Sequence, residues 1–512
     1  MTKYSIAIVG IIGGVAALGA MGSRQAYAME LDWGGDLRSE FNFVYDYTLD
    51  PAAAGGLDAN RAKAGGYYIP GGGSNNATFE TLFLRLKPKL IVNDNISIKS
   101  EWWLGNPIYG FFGDAAPYTS DQRQYYSTQS RGSTISAQRV WAEVLTDIGT
   151  LQVGRAPLDW GLGIVWNKGD GLWDNYESTG DLVRMVSNFG NFSIVPAIIW
   201  YDIGNSIGGA YDVGVGPVGG VGWVMDGSIA LTYHNPDEDL DGGINFIKRF
   251  VGGSQESGTG YLSPLGGILQ GTDYNTFDLF AKKKFGRVSL GAEVPIVSGN
   301  LAGISYNTFA VATDVKWKIT DSWEVGGLFG RAPGQPDSAT QTPGQYSAFF
   351  FNPDYRLGLI MFNYQFANFV GPNTYNNPTV GTSPTNQPLS PYDNPIVNAN
   401  YMDLTGTWHP NDKWDVHASF IYAMADQTAS GNQWFMNTVS RQMVQETTNQ
   451  SQSNSLGWEM DYGALYRWDE FFQFGLDVGF YFPGGFYAFS NTSTPNATSM
   501  AFATMAKIGI SF

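Results

Sequence analysis

The sequence predicts an all-β fold: a transmembrane antiparallel up-and-down β-barrel of about 18 strands, within bounds of about 16 and 20. Three observations predict it. Apolar and polar residues alternate with a period of two over many strand-length stretches, which is the periodicity of extended chain. Tryptophans bracket short turns, as Trp317 and Trp323, Trp408 and Trp414, and Trp468 do, and aromatic belts of this kind sit at lipid–water boundaries. Short turns also alternate with longer, polar, Gly-rich loops, the asymmetry of short periplasmic turns and long extracellular loops.

The alternation is regular from the first strand to the last. Leu37, Phe41, Phe43, Tyr45 and Tyr47 share a face opposite Arg38, Glu40, Asn42 and Asp46. Leu82, Leu84, Leu86, Leu90 and Val92 oppose Arg85, Lys87 and Lys89. Phe309, Val311, Val315, Trp317 and Ile319 oppose Asp314, Lys316 and Lys318. Trp458, Met460, Tyr462 and Ala464 oppose Glu459, Asp461 and Arg467, and Phe472, Phe474, Leu476, Val478, Phe480 and Phe482 oppose Gln473 and Asp477. At the end of the chain Met500, Phe502, Thr504, Ala506, Ile508, Ile510 and Phe512 share one face. A soluble sandwich would use the same pattern with its apolar face as core; the tryptophans and the turn lengths favour lipid.

Short turns fall at 93–95, 146–149, 188–191, 285–287, 320–322, 410–413 and 469–471, with a further pair of strands meeting around Asn235 to Gly243. Asp94, Asp321, Asp412 and Asp469 open four of these turns, and Asp suits them because its side chain bonds nearby backbone. Pairs at each turn plus the first and last strands make the 18. That count places Gln345 to Gln365 inside the long loop 332–396, although Phe349 to Phe362 is too apolar for a solvated loop. The segment is therefore expected to fold inward as a plug or constriction; as wall strands it would raise the count to about 20, and weak strands between residues 205 and 251 would lower it to about 16.

Composition agrees. Charged and aromatic residues each make up 15% of the chain, and glycine, tyrosine and tryptophan are spread evenly, so one large barrel is simpler than several soluble domains. Lys3, the apolar stretch Tyr4 to Met21 and Ala26-Tyr27-Ala28 read as a secretory signal peptide over residues 1–28, leaving 29–512 as the barrel. No cysteine is present, so a lipoprotein anchor is not expected, and the lack of thiols fits passage through an oxidising periplasm. After residue 28 no apolar run is long enough for a spanning helix. The mature chain holds 27 Lys and Arg against 46 Asp and Glu. No nucleic-acid partner is expected, and the excess acid is expected on the outer loops rather than in the lumen.

Catalysis is not expected. The three histidines are His234, His409 and His417, and neighbours on one strand face, such as Asp415, His417 and Ser419, point in parallel rather than converging on one proton path. Asp237, Asp239 and Asp241, with Gly242, follow the first half of an EF-hand loop, but Lys248 occupies the position of the closing carboxylate. An acidic solvated turn is the plainer reading and a weak Ca²⁺ site the alternative; otherwise no cofactor is expected. Gly71 to Gly73 and Gly252-Gly253 precede no helix and are turn formers rather than phosphate cradles. The strongest functional signal is a basic set on the first strands: Arg38, Arg85, Lys87, Lys89, Lys99 and Arg139, sharing faces with Glu40, Glu101 and Glu143. Opposed charges across a water-filled lumen set which ions enter, so these nine are the pore-lining candidates.

The last strand, closing on Phe512, resembles the terminal strand of bacterial outer-membrane β-barrels, a resemblance that implies recognition by the barrel-assembly machinery. The mature length resembles large porin-like barrels, above all the alginate-export type. Leu151 to Arg155 followed by Trp160-Gly-Leu-Gly-Ile164 is similar to the Val-Gly-Arg strand of that group, and Asn352-Pro-Asp-Tyr-Arg356 to an element of uncharacterised outer-membrane proteins of predatory and gliding bacteria. The alginate-export resemblance implies an arginine-rich pore passing a polyanion, here Arg85, Lys87, Lys89 and Arg139, against which Glu101 and Glu143 intrude. The expectation is an outer-membrane channel in a Gram-negative bacterium, surrounded by lipid and passing small hydrophilic or anionic solutes. The alternative is an adhesion or scaffold barrel with a loop-filled lumen, presenting loops 49–76, 105–133, 366–396 and 426–454.

Overall fold

A computed structural model describes residues 29–46, 49, 77–105, 107, 135–204, 222–253, 273–301, 304–335, 345–363, 395–437 and 442–512. The segment 1–28 expected to be a signal peptide lies outside the described residues, as do most of the long loops 49–76, 105–133 and 366–396 and the glycines 71–73.

Eighteen antiparallel wall strands close on themselves. The first, β1, is built from Glu30–Asp32 and Gly35–Tyr45, and β2 from Ala77–Leu86 and Lys89–Asn93, broken at Pro88, which has no N–H to give a ladder. Then follow β3 (Ile96–Gly105), β4 (Ile135–Thr146), β5 (Gly149–Pro157), β6 (Thr179–Phe189), β7 (Phe192–Gly204), β8 (Gly222–Asn235), β9 (Leu240–Gly253), β10 (Asp273–Phe285) and β11 (Val288–Leu301). The wall continues with β12 (Ile304–Phe309 and Val311–Lys318), β13 (Trp323–Ala332), β14 (Ala399–Asn411), β15 (Trp414–Ala425), β16 (Ser455–Arg467), β17 (Phe472–Pro483) and β18 (Ala501–Ser511). β1 pairs with β18 from Asp36↔Ser511 to Tyr45↔Phe502, which shuts the barrel and removes its edges. Gly35 and Phe512 exchange both backbone bonds at 2.9 Å.

The expected count of 18 therefore holds, for two reasons. β8 and β9 pair in unbroken register from Gly222↔Gly253 to Asn235↔Leu240, so this region supplies two full strands. Among the described residues of the 332–396 loop, only Gln345–Tyr346 joins the sheet, as a short parallel contact with Ser305 and Tyr306. A small hairpin, Trp434–Asn437 against Gln442–Gln445, stands apart in the 426–454 loop.

The predicted faces hold as well. Phe41, Leu82, Phe277, Leu279, Leu476 and Ile508 point outward and are exposed, whereas Arg38, Glu40, Asp278, Glu459 and Met505 point inward and are buried. This is the inverse of a soluble core: the apolar band faces hydrocarbon and the charged residues face in. Trp317, Trp323, Trp408, Trp414 and Trp468 are exposed around the short-turn end, and Trp323 stacks on Trp408 across the β13–β14 pair at 6.0 Å. The turns themselves differ in one detail. The side chain that accepts from turn backbone is Asn93 (from Asn95 N–H, 2.9 Å), Thr320 (from Ser322, 3.2 Å) and Asn411 (from Lys413, 3.0 Å). These residues precede the predicted Asp94, Asp321 and Asp412. Only Asp469 itself does this work, for Phe471 and Phe472.

Candidate functional site: a lumen crossed by two inward segments

Among the described residues two chain segments leave the wall and cross the lumen. One is the expected segment 345–363. The other, 158–178 between β5 and β6, carries the Trp160-Gly-Leu-Gly-Ile164 run, and its inward course was not foreseen. A Cβ on Gly161, where φ is +63°, would collide with the Glu293 carboxylate, and one on Gly169, at φ +64°, with the Tyr176 carbonyl. Only glycine allows both the left-handed backbone and the close approach. Those glycines were the available signal, legible only once the partner across the lumen is known.

The basic candidates lie where this second segment meets β1 to β4. Arg85, 2% exposed, gives Nη1–H to Gly169 O at 2.6 Å and Nη2–H to Asp170 O and Gly171 O at 3.0 and 2.9 Å, while Asp36 holds its Nε and Nη2 at 2.9 and 2.7 Å. Arg38 donates to Leu172 O at 2.6 Å and to Asn175 Oδ1, with Glu40 4.0 Å away and its guanidinium over the Phe83 ring at 5.1 Å. Arg139 reaches Lys168 O, and lies 3.1 Å from Glu101, 3.2 Å from Asp170 and 2.9 Å from Glu177. The three arginines thus grip successive carbonyls of residues 168–172. Carbonyl acceptors left without partners in a dry interior would be costly, and a planar guanidinium with several donors satisfies more than one at once.

The lysines are more open. Lys99 pairs with Glu143 at 2.9 Å, both partly exposed, and Glu143 also accepts from Trp141 and Gln152. Lys87 lies 3.7 Å from Asp36. Lys89 is half-buried and stands opposite Lys99 in the β2–β3 register.

Elsewhere on the wall, on β11 and β16, carboxylates do the holding. Glu293 accepts from Leu162 N–H and, at 3.5 Å, from Ile164 N–H. Asp461 accepts from Leu359 N–H at 2.9 Å, and Glu459 from Ile360 and Met361 N–H at 2.7 and 2.5 Å. Asp226, Asp278, Asp403 and Asp477 are also buried. Acid therefore lines the lumen as well, facing N–H groups where the arginines of β1, β2 and β4 face carbonyls. An inward loop offers N–H groups to one wall and C=O groups to the other, so each wall needs the opposite charge. The two segments also bind each other: Asn352 N–H to Ile164 O at 2.8 Å, Asn175 N–H to Asp354 at 2.8 Å, and Asn352 Nδ2 to Ser178 Oγ at 2.9 Å.

Within the 158–178 segment, burial pushes the Glu177 carboxyl up to about 8, although the Arg139 guanidinium pulls it down, because Glu101 shares that same cation. Burial, with the neighbouring Asp354, likewise raises Asp174.

Space remains between the inward segments and the wall from β6 to β12. A cavity of about 500 Å³ is lined by Trp166, Tyr201, Asp226, Arg249, Tyr274 and Phe349 among others. A second, of about 210 Å³, lies toward the short-turn end against Arg184, Val195, Ser228 and Asn245. Leu158 and Trp166 line both.

The weak Ca²⁺ site, the alternative to an acidic solvated turn, is not formed. Among the described residues no group of three His, Cys, Asp or Glu side chains is placed to hold a metal. Asp237 lies within a single 3₁₀ turn, Pro236–Glu238, and Asp239 caps its end, while Asp241 belongs to β9 and pairs with His234. The other histidines are paired too, His409 with Asp415 at 2.6 Å on the neighbouring strand, and His417 with Asp477 at 3.2 Å over Gly463 of the strand between them.

No protein-family model and no curated protein matches the chain. Among solved structures, the outer membrane protein opdK of Pseudomonas aeruginosa is 10% identical with a TM-score of 0.48, covering 94% of this chain and 98% of its own. OccK9 (OpdG) of Pseudomonas aeruginosa is 11% identical with a TM-score of 0.48, covering 94% and 99%. OmpT, an outer membrane protein of Vibrio cholerae, is 9% identical with a TM-score of 0.35, covering 95% and 99%. Likeness at this level says nothing about a solute. The barrel's own features define the class: an even number of antiparallel strands, short turns at one end and an outward apolar band make it an outer-membrane-type β-barrel. Among the described residues, two hydrogen-bonded segments cross its lumen.

Proposed function

We propose that the chain is a porin-like channel of the outer membrane for passive passage of small hydrophilic solutes. One observation carries the reading: the two cavities lie one beyond the other along the inner wall of β6 to β12, and Leu158 and Trp166 stand between them. A barrel of this strand number encloses more lumen than its wall side chains fill, and here inward chain narrows it to a lateral path. The arginine-rich polyanion pore implied by the alginate-export resemblance gains no support, because Arg38, Arg85 and Arg139 are turned to loop carbonyls and carboxylates. The reading is tested by single-channel recording in planar bilayers. Discrete conductance steps are expected, and a folded barrel without current, in the native chain and in Arg85→Met alike, would reject it.

One observation favours a closed scaffold barrel. Phe351, Ile360 and Met361 of the inward segment form an apolar cluster with Ile421, Tyr481 and Met505 of the wall. The same recordings separate the two readings.

A further inference from the structure

We propose that the larger cavity is a subsite for a neutral polyhydroxylated solute the size of a sugar ring, and that it disfavours anions; this rests on the channel reading. The cavity, about 500 Å³, falls in the ~300–1,000 Å³ range of small-molecule sites. Its cation is already engaged. Arg249 gives Nε–H and Nη2–H to the fully buried Asp226 at 2.9 and 2.8 Å and Nη1–H to the Tyr274 hydroxyl at 3.3 Å. Its guanidinium also lies 4.9 Å from the centre of the Tyr201 ring.

Glu177, 2.9 Å from Arg139, adds a second acid to the lining but no free charge. An entering anion therefore finds no unpaired cation: the one arginine of the lining is already bonded to the Asp226 carboxylate, and like charges brought together in a confined site repel. What the lining offers instead is aromatic surface from Trp166, Tyr274 and Phe349 and hydroxyls from Ser178, Thr179 and Thr276. A sugar ring presents a C–H face to aromatics and a rim of hydroxyls to polar groups, so both kinds of lining are used. In the smaller cavity Arg184 is bonded to the neutral Gln152 at 2.6 Å, and Asp159 is the one acid of the lining.

The experiment compares glucose with glucuronate, nearly equal in size but differing by one carboxylate, on the full barrel. Swelling of proteoliposomes is expected to be several-fold faster in glucose, and glucose is expected to interrupt the ion current of single channels. In Trp166→Ala the glucose interruptions should shorten about tenfold, the loss of roughly 1.4 kcal/mol of contact, while Trp166→Phe keeps most of them. Glucuronate entering as fast as glucose, or interruptions unchanged in a folded Trp166→Ala barrel, would overturn the subsite. Calorimetric titration of the detergent-solubilised barrel separates it from the channel reading. Glucose heat without any current keeps the subsite and removes the channel; current with neither interruption nor heat removes the subsite alone.

Discussion

Replacing Arg85 by Met tests whether the 158–178 segment is held in the lumen by its arginine contacts. The strand itself should survive, since β2 pairs with β1 through backbone bonds from Gly35↔Leu86 to Val44↔Ala77. What disappears is a guanidinium, 2% exposed, that binds three successive loop carbonyls and Asp36. A hydrogen bond to a charged group is worth about 1.5–3 kcal/mol net, and breaking one partner out of a buried ion pair costs about 3–5 kcal/mol. These overlap, because the same atoms are counted in both. Asp36 also keeps Ser511 Oγ at 2.9 Å and Lys87 at 3.7 Å. About 4 kcal/mol is then the weakening felt by the loop anchor, close to a thousandfold rise in the population with residues 168–172 released. Single-channel recording should show this as flicker to larger conductance levels that the native chain lacks. Lys87→Met is the control, since Lys87 touches Asp36 and its change should leave the trace quiet. Native-like traces from an Arg85→Met barrel that keeps its heat-modifiable mobility would refute the anchoring argument.

Three further outcomes follow from the same contacts. Glu459→Ala strips the acceptor from the N–H groups of Ile360 and Met361, at about 1–3 kcal/mol for each buried donor; the thermal midpoint in detergent should fall by more than for Glu459→Gln, and equal falls would count against the anchor. Glu177 titrates near 8 in the folded chain and near 4.5 when free, so the folded state binds more protons between those values and stability should decline as pH rises through that window; a Glu177→Gln barrel should show a flatter profile of midpoint against pH, and identical slopes would refute the assignment. Lys99→Glu places a second negative charge beside the partly exposed Glu143, and the reversal potential in a salt gradient should move toward cations; an unmoved potential would take Lys99 out of the permeation path.

Alternation, turn spacing and the tryptophan girdle were enough to read the wall, its count of strands and which side chains meet lipid. These signals are local: a strand's faces repeat every second residue, and a short turn joins neighbours in the chain, so each is written within about a dozen positions. The apolar run from Phe349 to Phe362 also betrayed one inward segment, because such a run cannot rest in water. The lumen's contents were decided elsewhere. Leu172 receives Arg38 from 134 residues away, and Asp461 receives the Leu359 N–H from 102 residues away. Whether an arginine faces open water or a loop carbonyl depends on what folds back across the barrel to meet it. That is a property of closure, which brings every wall strand into reach of one central space, and no spacing along the chain records it.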